Sequence, residues 1–143
     1  MDRFNPWWTG EPDTGYLEWT EQPVRWVPDI VDRIPLDPFS LHFITGPRQV
    51  GKTTVLKILI ARSIEQGRDP RSILYYSCDE LTDHHELGEV MDDYYRAREA
   101  WGVDSSLIVL DEITFETVGL HYTTAPKAAL IIATVPVAVL IFA

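Results

Sequence analysis

Between residues 39 and 115 the chain alternates short continuous apolar runs with longer stretches of helical period. LHFIT, Leu41–Thr45, has strand length and is ended by Gly46-Pro47. From Lys52, apolar residues recur at Val55/Leu56, Leu59/Ile60 and Ile64, one stripe of an amphipathic helix. Gly67 stands where a C-cap glycine belongs, with Pro70 beyond it. ILYYS, Ile73–Ser77, predicts a second strand. Asp83 and Glu86 have the spacing of a capping box. Leu87, Val90/Met91, Tyr94/Tyr95 and Trp101 then continue at helical spacing. SLIVL, Ser106–Leu110, is a third strand without polar alternation. Continuous apolar strands separated by helices predict an α/β fold whose parallel sheet is covered on both faces. No internal repeat is visible.

The flanks have a different character. Residues 1–38 hold most of the prolines and four of the five tryptophans. FNPWW, LEW and RWVP fit neither the helical nor the strand period, and the prolines exclude a long helix. This part reads as an extended arm pinned to the domain by Trp7, Trp8, Trp19 and Trp26. Residues 116–143 are rich in Thr, Ala and Val, with only Glu116 and Lys127 charged. They form an apolar tail that ends AALIIATVPVAVLIFA. The chain thus divides into an arm (1–38), a core (39–115) and a tail (116–143).

At 143 residues there is room for one ordinary domain, and an apolar share of 45% supports a core. A net charge of -10 gives no nucleic-acid signal and argues against adsorption to anionic lipid through basic residues. The single cysteine, Cys78, permits no intrachain disulfide and suits a reducing cytoplasm. The N-terminus has no apolar stretch of the secretory kind, so the one membrane candidate is residues 128–143.

The chemistry concentrates in GPRQVGKTT: Gly46, Pro47, Arg48, Gln49, Val50, Gly51, Lys52, Thr53 and Thr54. The stretch fits G-x-x-x-x-G-K-[ST] and links an apolar strand to an amphipathic helix, the context this motif needs. Gly46 and Gly51 permit backbone angles and close approach that a side chain would block. Loop amides and the helix N-terminus present donors to phosphate oxygens. Lys52 supplies a cation for the β and γ phosphates, the Thr53 hydroxyl is placed to ligate Mg²⁺, and Thr54 serves the α-phosphate side. The second element is LIVLDEI, Leu107–Ile113. Its acids follow the carboxyl end of a strand, where open α/β sheets place ligands. Asp111 is suited to hold Mg²⁺ through water and Glu112 to polarise an attacking water. Glu112 favours hydrolysis over transfer to a small metabolite.

FNPWW, ITGPRQVGKTTVLK, YYSCDEL and LIVLDEITF together resemble the AAA-type P-loop ATPases of the archaeal and bacterial "ATP-binding protein" family, over residues 1–115. The resemblance implies ATP and Mg²⁺ binding, with Gly46, Gly51, Lys52, Thr53 and Thr54 in the P-loop and Asp111 and Glu112 in Walker B. The implied fold is a partial AAA-type P-loop domain, a three-layer parallel sheet with the extended arm and the apolar tail added. Relatives of this type often form rings, so the resemblance admits a homo-oligomer. A sensor strand, a helical lid and basic residues for the γ-phosphate are not found in their expected form after Phe115, and the only basic residue beyond Arg98 is Lys127. The expectation is therefore slow hydrolysis, with a non-hydrolysing nucleotide switch as the second reading.

Other polar clusters carry less. His84-His85-Glu86 reads as a solvated helix start rather than a zinc site, because adjacent helical residues do not face each other. The eight acids of residues 79–99 read as a solvated helix face. Asp79 and Glu80, after the second strand, suit either the nucleotide cleft or a loop cap. Nothing near Cys78 argues for an activated thiol.

Two readings stand for the tail. As part of a P-loop sheet, Ala129–Thr134 is a strand between the first strand and the Asp111 strand, with Thr134 as a sensor-like hydroxyl. That arrangement comes with the resemblance, and the linker from Asp111 is long enough for a crossover. A following strand VAVLIFA would need another crossover, for which Val135-Pro136 leaves no room. The other reading is a membrane helix. Residues 119–143 resemble a helix segment of drug/metabolite transporters, which implies membrane attachment through residues 128–143 and a fused or truncated reading frame.

Overall fold

The computed structural model describes residues 2–37, 40–47, 49–112 and 137–142. Four strands form one sheet: β1 (Ser40–Ile44), β2 (Ile73–Ser77), β3 (Ser106–Asp111) and β4 (Val137–Phe142). Their order is β1-β4-β3-β2. Every residue of β3 is buried, as its unbroken apolar run predicts. β2 pairs with β3 in parallel, from Ile73 opposite Leu107 to Ser77 opposite Asp111.

β4 differs from the sequence expectation in direction and in place. It lies between β1 and β3, but it is antiparallel to both, with Ile44 opposite Val137 and Ser106 opposite Phe142. The sheet is therefore mixed rather than wholly parallel. The strand is Val137–Phe142, not Ala129–Thr134, which lies outside the described residues, as does Thr134 with its expected sensor role. A parallel strand at that place needs a crossover. An antiparallel strand needs none, because the link leaves β3 and enters β4 at the same end of the sheet. Val137–Phe142 is thus strand, not a stretch of helix. Among the described residues no helix is long and apolar enough to cross a membrane.

Four α-helices are described: α1 (Thr14–Thr20), α2 (Ile30–Arg33), α3 (Lys52–Glu65) and α4 (His84–Trp101). The two long ones serve opposite faces of the sheet. Leu56, Ile58, Leu59 and Ile60 of α3 cluster with Ile73, Tyr75, Leu107 and Val109. Leu87 and Tyr94 of α4 cluster with Leu74, Ile108 and Leu110. Odd-numbered residues of β2 and β3 thus face α3 and most even-numbered ones face α4, as the period of two requires. α4 begins at an Asp83 cap whose carboxylate accepts from His85 N and Glu86 N, and ends at Gly102 with φ 68°. The Glu86 carboxylate accepts from the backbone N–H of Thr82 at 3.1 Å. The Asp83 cap expected from the sequence is thus in place, with Glu86 reaching one residue further back than in the usual box.

The N-terminal part is not an extended arm. It contains two 3-10 turns, Asp2–Phe4 and Pro6–Thr9, followed by α1 and α2. Prolines exclude long helices, but the proline-free TGYLEWT leaves room for one of seven residues, capped by Asp13 at Tyr16 N. α1 packs on α3, and Tyr16 stacks on Trp19 at 5.7 Å between ring centres. Trp26, expected to pin the chain, is 73% exposed and does not.

FNPWW has a specific task. Among the described residues β2 has β3 on one side only, so its other edge presents backbone groups that water or another strand would take. The Asn5 side chain accepts from Tyr75 N at 2.7 Å and donates to Tyr75 O at 3.0 Å. It acts as one peptide unit of a missing strand. The indole N–H groups of Trp7 and Trp8 both donate to Ile73 O, at 3.1 and 2.8 Å. Trp7 packs in the α3 cluster, while Trp8 stacks on Tyr94 at 5.9 Å and meets Trp101 edge-on at 5.1 Å. The motif straddles the edge and ties it to both cores.

Asn5→Ala strips both partners from Tyr75's buried backbone. It should cost about 1–3 kcal/mol, read as a lower denaturant midpoint at an unchanged slope. A midpoint equal to wild type would refute the pairing role.

Candidate functional site

The loop Gly46–Thr54 and the Asp111-Glu112 pair leave the sheet at the same end. β1 ends at Ile44 and β3 at Asp111, with β4 between them, so their axes stand two strand spacings apart, about 10 Å. Loop and acids therefore stand at one end of the sheet.

Within the loop, Gly51 has φ 85° and is the N-cap of α3, a conformation that favours glycine. Gly46 does not need glycine for the same reason. A Cβ there would meet Val50 Cγ2 at 3.5 Å, an ordinary contact. The protein itself thus supplies a conformational reason at Gly51 only. Pro47, Gln49 and Val50 are exposed, and Arg48 lies outside the described residues. Lys52 folds back over the loop, its Nζ donating to Gly46 O at 3.0 Å and to Pro47 O at 2.7 Å. Thr53 is exposed and Thr54 half-buried on the first turn of α3. That turn has no side-chain cap, and the first amides of any helix lack an intrahelical acceptor.

Asp111 is 2% exposed. Its Oδ2 accepts from the Tyr75 hydroxyl at 2.9 Å and its Oδ1 from Glu112 N at 3.0 Å. Tyr75 reaches it along the sheet: Tyr75 pairs with Val109, and Asp111 is the next residue on that face. Glu112 is exposed and turns out of the strand with φ 56°. Among the described residues only Gln49 and Glu112 are non-glycine residues with positive φ. Both stand in this site, one in each half, and such backbone conformations gather at functional sites.

Burial, then the Asp111 charge and hydrogen bond, push the Tyr75 phenol well above its ordinary range, so it stays a proton donor. Burial, with Asp111 and Glu112 adding to it, pushes the Cys78 thiol up to about 12. Cys78 is thus a buried, unactivated thiol. Asp79 is exposed on the 3-10 turn Cys78–Glu80. No group of three or more His, Cys, Asp or Glu suited to a metal occurs among the described residues, His85 and Glu86 included.

Sequence reasoning missed the residues behind Asp111. Lys57, one turn past Thr53, places Nζ 3.5 Å from the centre of the Tyr75 ring and 2.8 Å from Asp13 Oδ2. Arg3, Asp13, Thr53, Thr54, Lys57 and Tyr75 share the wall of a cavity of about 280 Å³ between the N-terminal segment and α3. The available signal was a pair of phenols in an otherwise aliphatic strand, ILYYS, and one lysine on the polar side of the first helix.

No curated protein and no solved structure matches the chain. A family model described as an AAA domain matches residues 39–119, more than half of the 143. That span holds the loop, α3, both acids and the three strands that carry or adjoin them, and it supports nucleotide binding. The chain belongs to the AAA domain family.

Proposed function

We propose that the chain binds ATP with Mg²⁺ and hydrolyses it slowly. The observation that carries this reading is the loop Gly46–Thr54, with Lys52 folded over it, beside Asp111-Glu112 at one end of the sheet. The loop and first-turn amides of α3 suit phosphate oxygens. Lys52 has a third proton for them after its two bonds to the loop carbonyls. The metal would be held by the Thr53 hydroxyl directly and by the Asp111 carboxylate through water. Both are hard oxygen donors of the kind Mg²⁺ prefers, and each Asp111 oxygen keeps a lone pair beyond its one hydrogen bond. The bound ion supplies neutralisation of the phosphate charge. Glu112, exposed and adjacent, is the residue to orient and deprotonate the attacking water.

The second reading, a nucleotide switch without turnover, is favoured by one sequence fact: no arginine follows Arg98. An arginine at the γ-phosphate contributes about 10³–10⁵ in rate in other NTPases.

Lys52→Ala should abolish MgATP binding measured by calorimetry, and wild-type-like binding would sink the proposal. Glu112→Gln should keep binding and lower phosphate release about 10²-fold or more, the usual weight of a general base. Equal release rates for both proteins would leave only the switch reading.

A further inference from the structure

Asp111 is served from behind by a connected set of side chains. Its Oδ2 accepts from Tyr75, whose ring carries the Lys57 ammonium on its face at 3.5 Å. Lys57 is paired at 2.8 Å with Asp13, both side chains being almost wholly buried, at 12% and 13% exposure. Asp13 is fixed in turn, because its other carboxylate oxygen caps α1 at Tyr16 N, 2.9 Å. The Tyr75 backbone is held on both sides of its residue by the Asn5 amide. Every fixed end of this chain lies in residues 5–16, outside the span that the family model covers.

We infer that Tyr75 is the positioning residue for the Asp111 carboxylate, and that the N-terminal segment holds Tyr75 in that pose through Asn5, Asp13 and Lys57. The inference rests on the reading of Asp111 as a metal-binding acid. A carboxylate that holds Mg²⁺ through water must keep one rotamer, and partners behind first ligands set such rotamers. Asp111 has two partners, and Glu112 N is a backbone group on a turn. Tyr75 is therefore the only side chain among the described residues seen to fix the acid. Lys57 constrains the ring from above: a cation buried on a ring face at this distance resists rotation of either group. The N-terminal segment is thereby a working part of the nucleotide site.

The test is ATP binding by the full chain at fixed ATP, titrated with Mg²⁺, and again in EDTA. Tyr75→Phe keeps the ring and loses the hydroxyl. It should raise the Mg²⁺ concentration for half-maximal enhancement about 10-fold and leave binding in EDTA unchanged. Asp13→Asn keeps a helix cap but removes the charge, and should shift the Mg²⁺ midpoint the same way by a smaller factor. A Mg²⁺ midpoint unchanged in Tyr75→Phe overturns the inference while leaving ATP binding intact. An equal loss of affinity with and without Mg²⁺ marks Tyr75 as structural only and also overturns it. Absence of MgATP binding by wild type removes the proposed function and this inference together.

Discussion

A carboxylate that is 2% exposed must be hydrogen-bonded, and much of this structure follows from how Asp111 meets that demand. It stands at the last position of a fully buried strand, where no water shell compensates its charge. One bond comes from the next amide, that of Glu112, whose backbone takes a left-handed turn. The other comes from a phenol on the neighbouring strand. That phenol also packs in the α3 core. β2 must therefore be held in register with β3 to within a fraction of a residue, since a slip would carry Tyr75 away from the acid.

An outer strand is poorly suited to so strict a register, because half of its backbone groups lack a neighbour. The FNPWW turn supplies the missing partners with side chains rather than with another strand. Asn5 mimics a peptide at Tyr75, and two indoles converge on Ile73 O. Large rings then spread the attachment over both cores, so the edge is fixed by packing as well as by hydrogen bonds. The same segment delivers Asp13 to Lys57. Edge protection and support of Asp111 are one arrangement.

The elements that periodicity governs were legible in the sequence. ILYYS is the second strand residue for residue, and the Asp83 start of α4 follows from local capping chemistry. The loop was legible because its motif is contiguous. What failed depended on partners distant in sequence. Trp7, Trp8 and Trp26 look alike in a proline-rich stretch, yet the first is 5% exposed and the last 73%. Nothing local distinguishes them, because the distinction is the unpaired edge of β2, some 65 residues away. Lys57 and Tyr75 were invisible as site residues for the same reason: each looks ordinary on its own element. The direction of β4 is not legible in the sequence, because a continuous apolar run such as VAVLIF is compatible with a central strand of either direction.

The direction of β4 also bears on catalysis. Open sheets place ligand-contacting side chains at the carboxyl ends of parallel strands, and a strand beside the P-loop strand is well placed to offer a polar one. β4 brings its first residue to that end instead: Val137 is opposite Ile44, while Phe142 is opposite Ser106 at the far end. The strand nearest both the loop and Asp111 therefore begins at the site with Val137-Ala138, which carry no hydroxyl, amide or charge. Of the strands at this end, β1 contributes the loop, β3 the acids and β2 the phenol behind them. Among the described residues the polar groups at this end of the sheet thus lie in two halves, the loop after β1 and the acids after β3, with the apolar sequence that opens β4 between them.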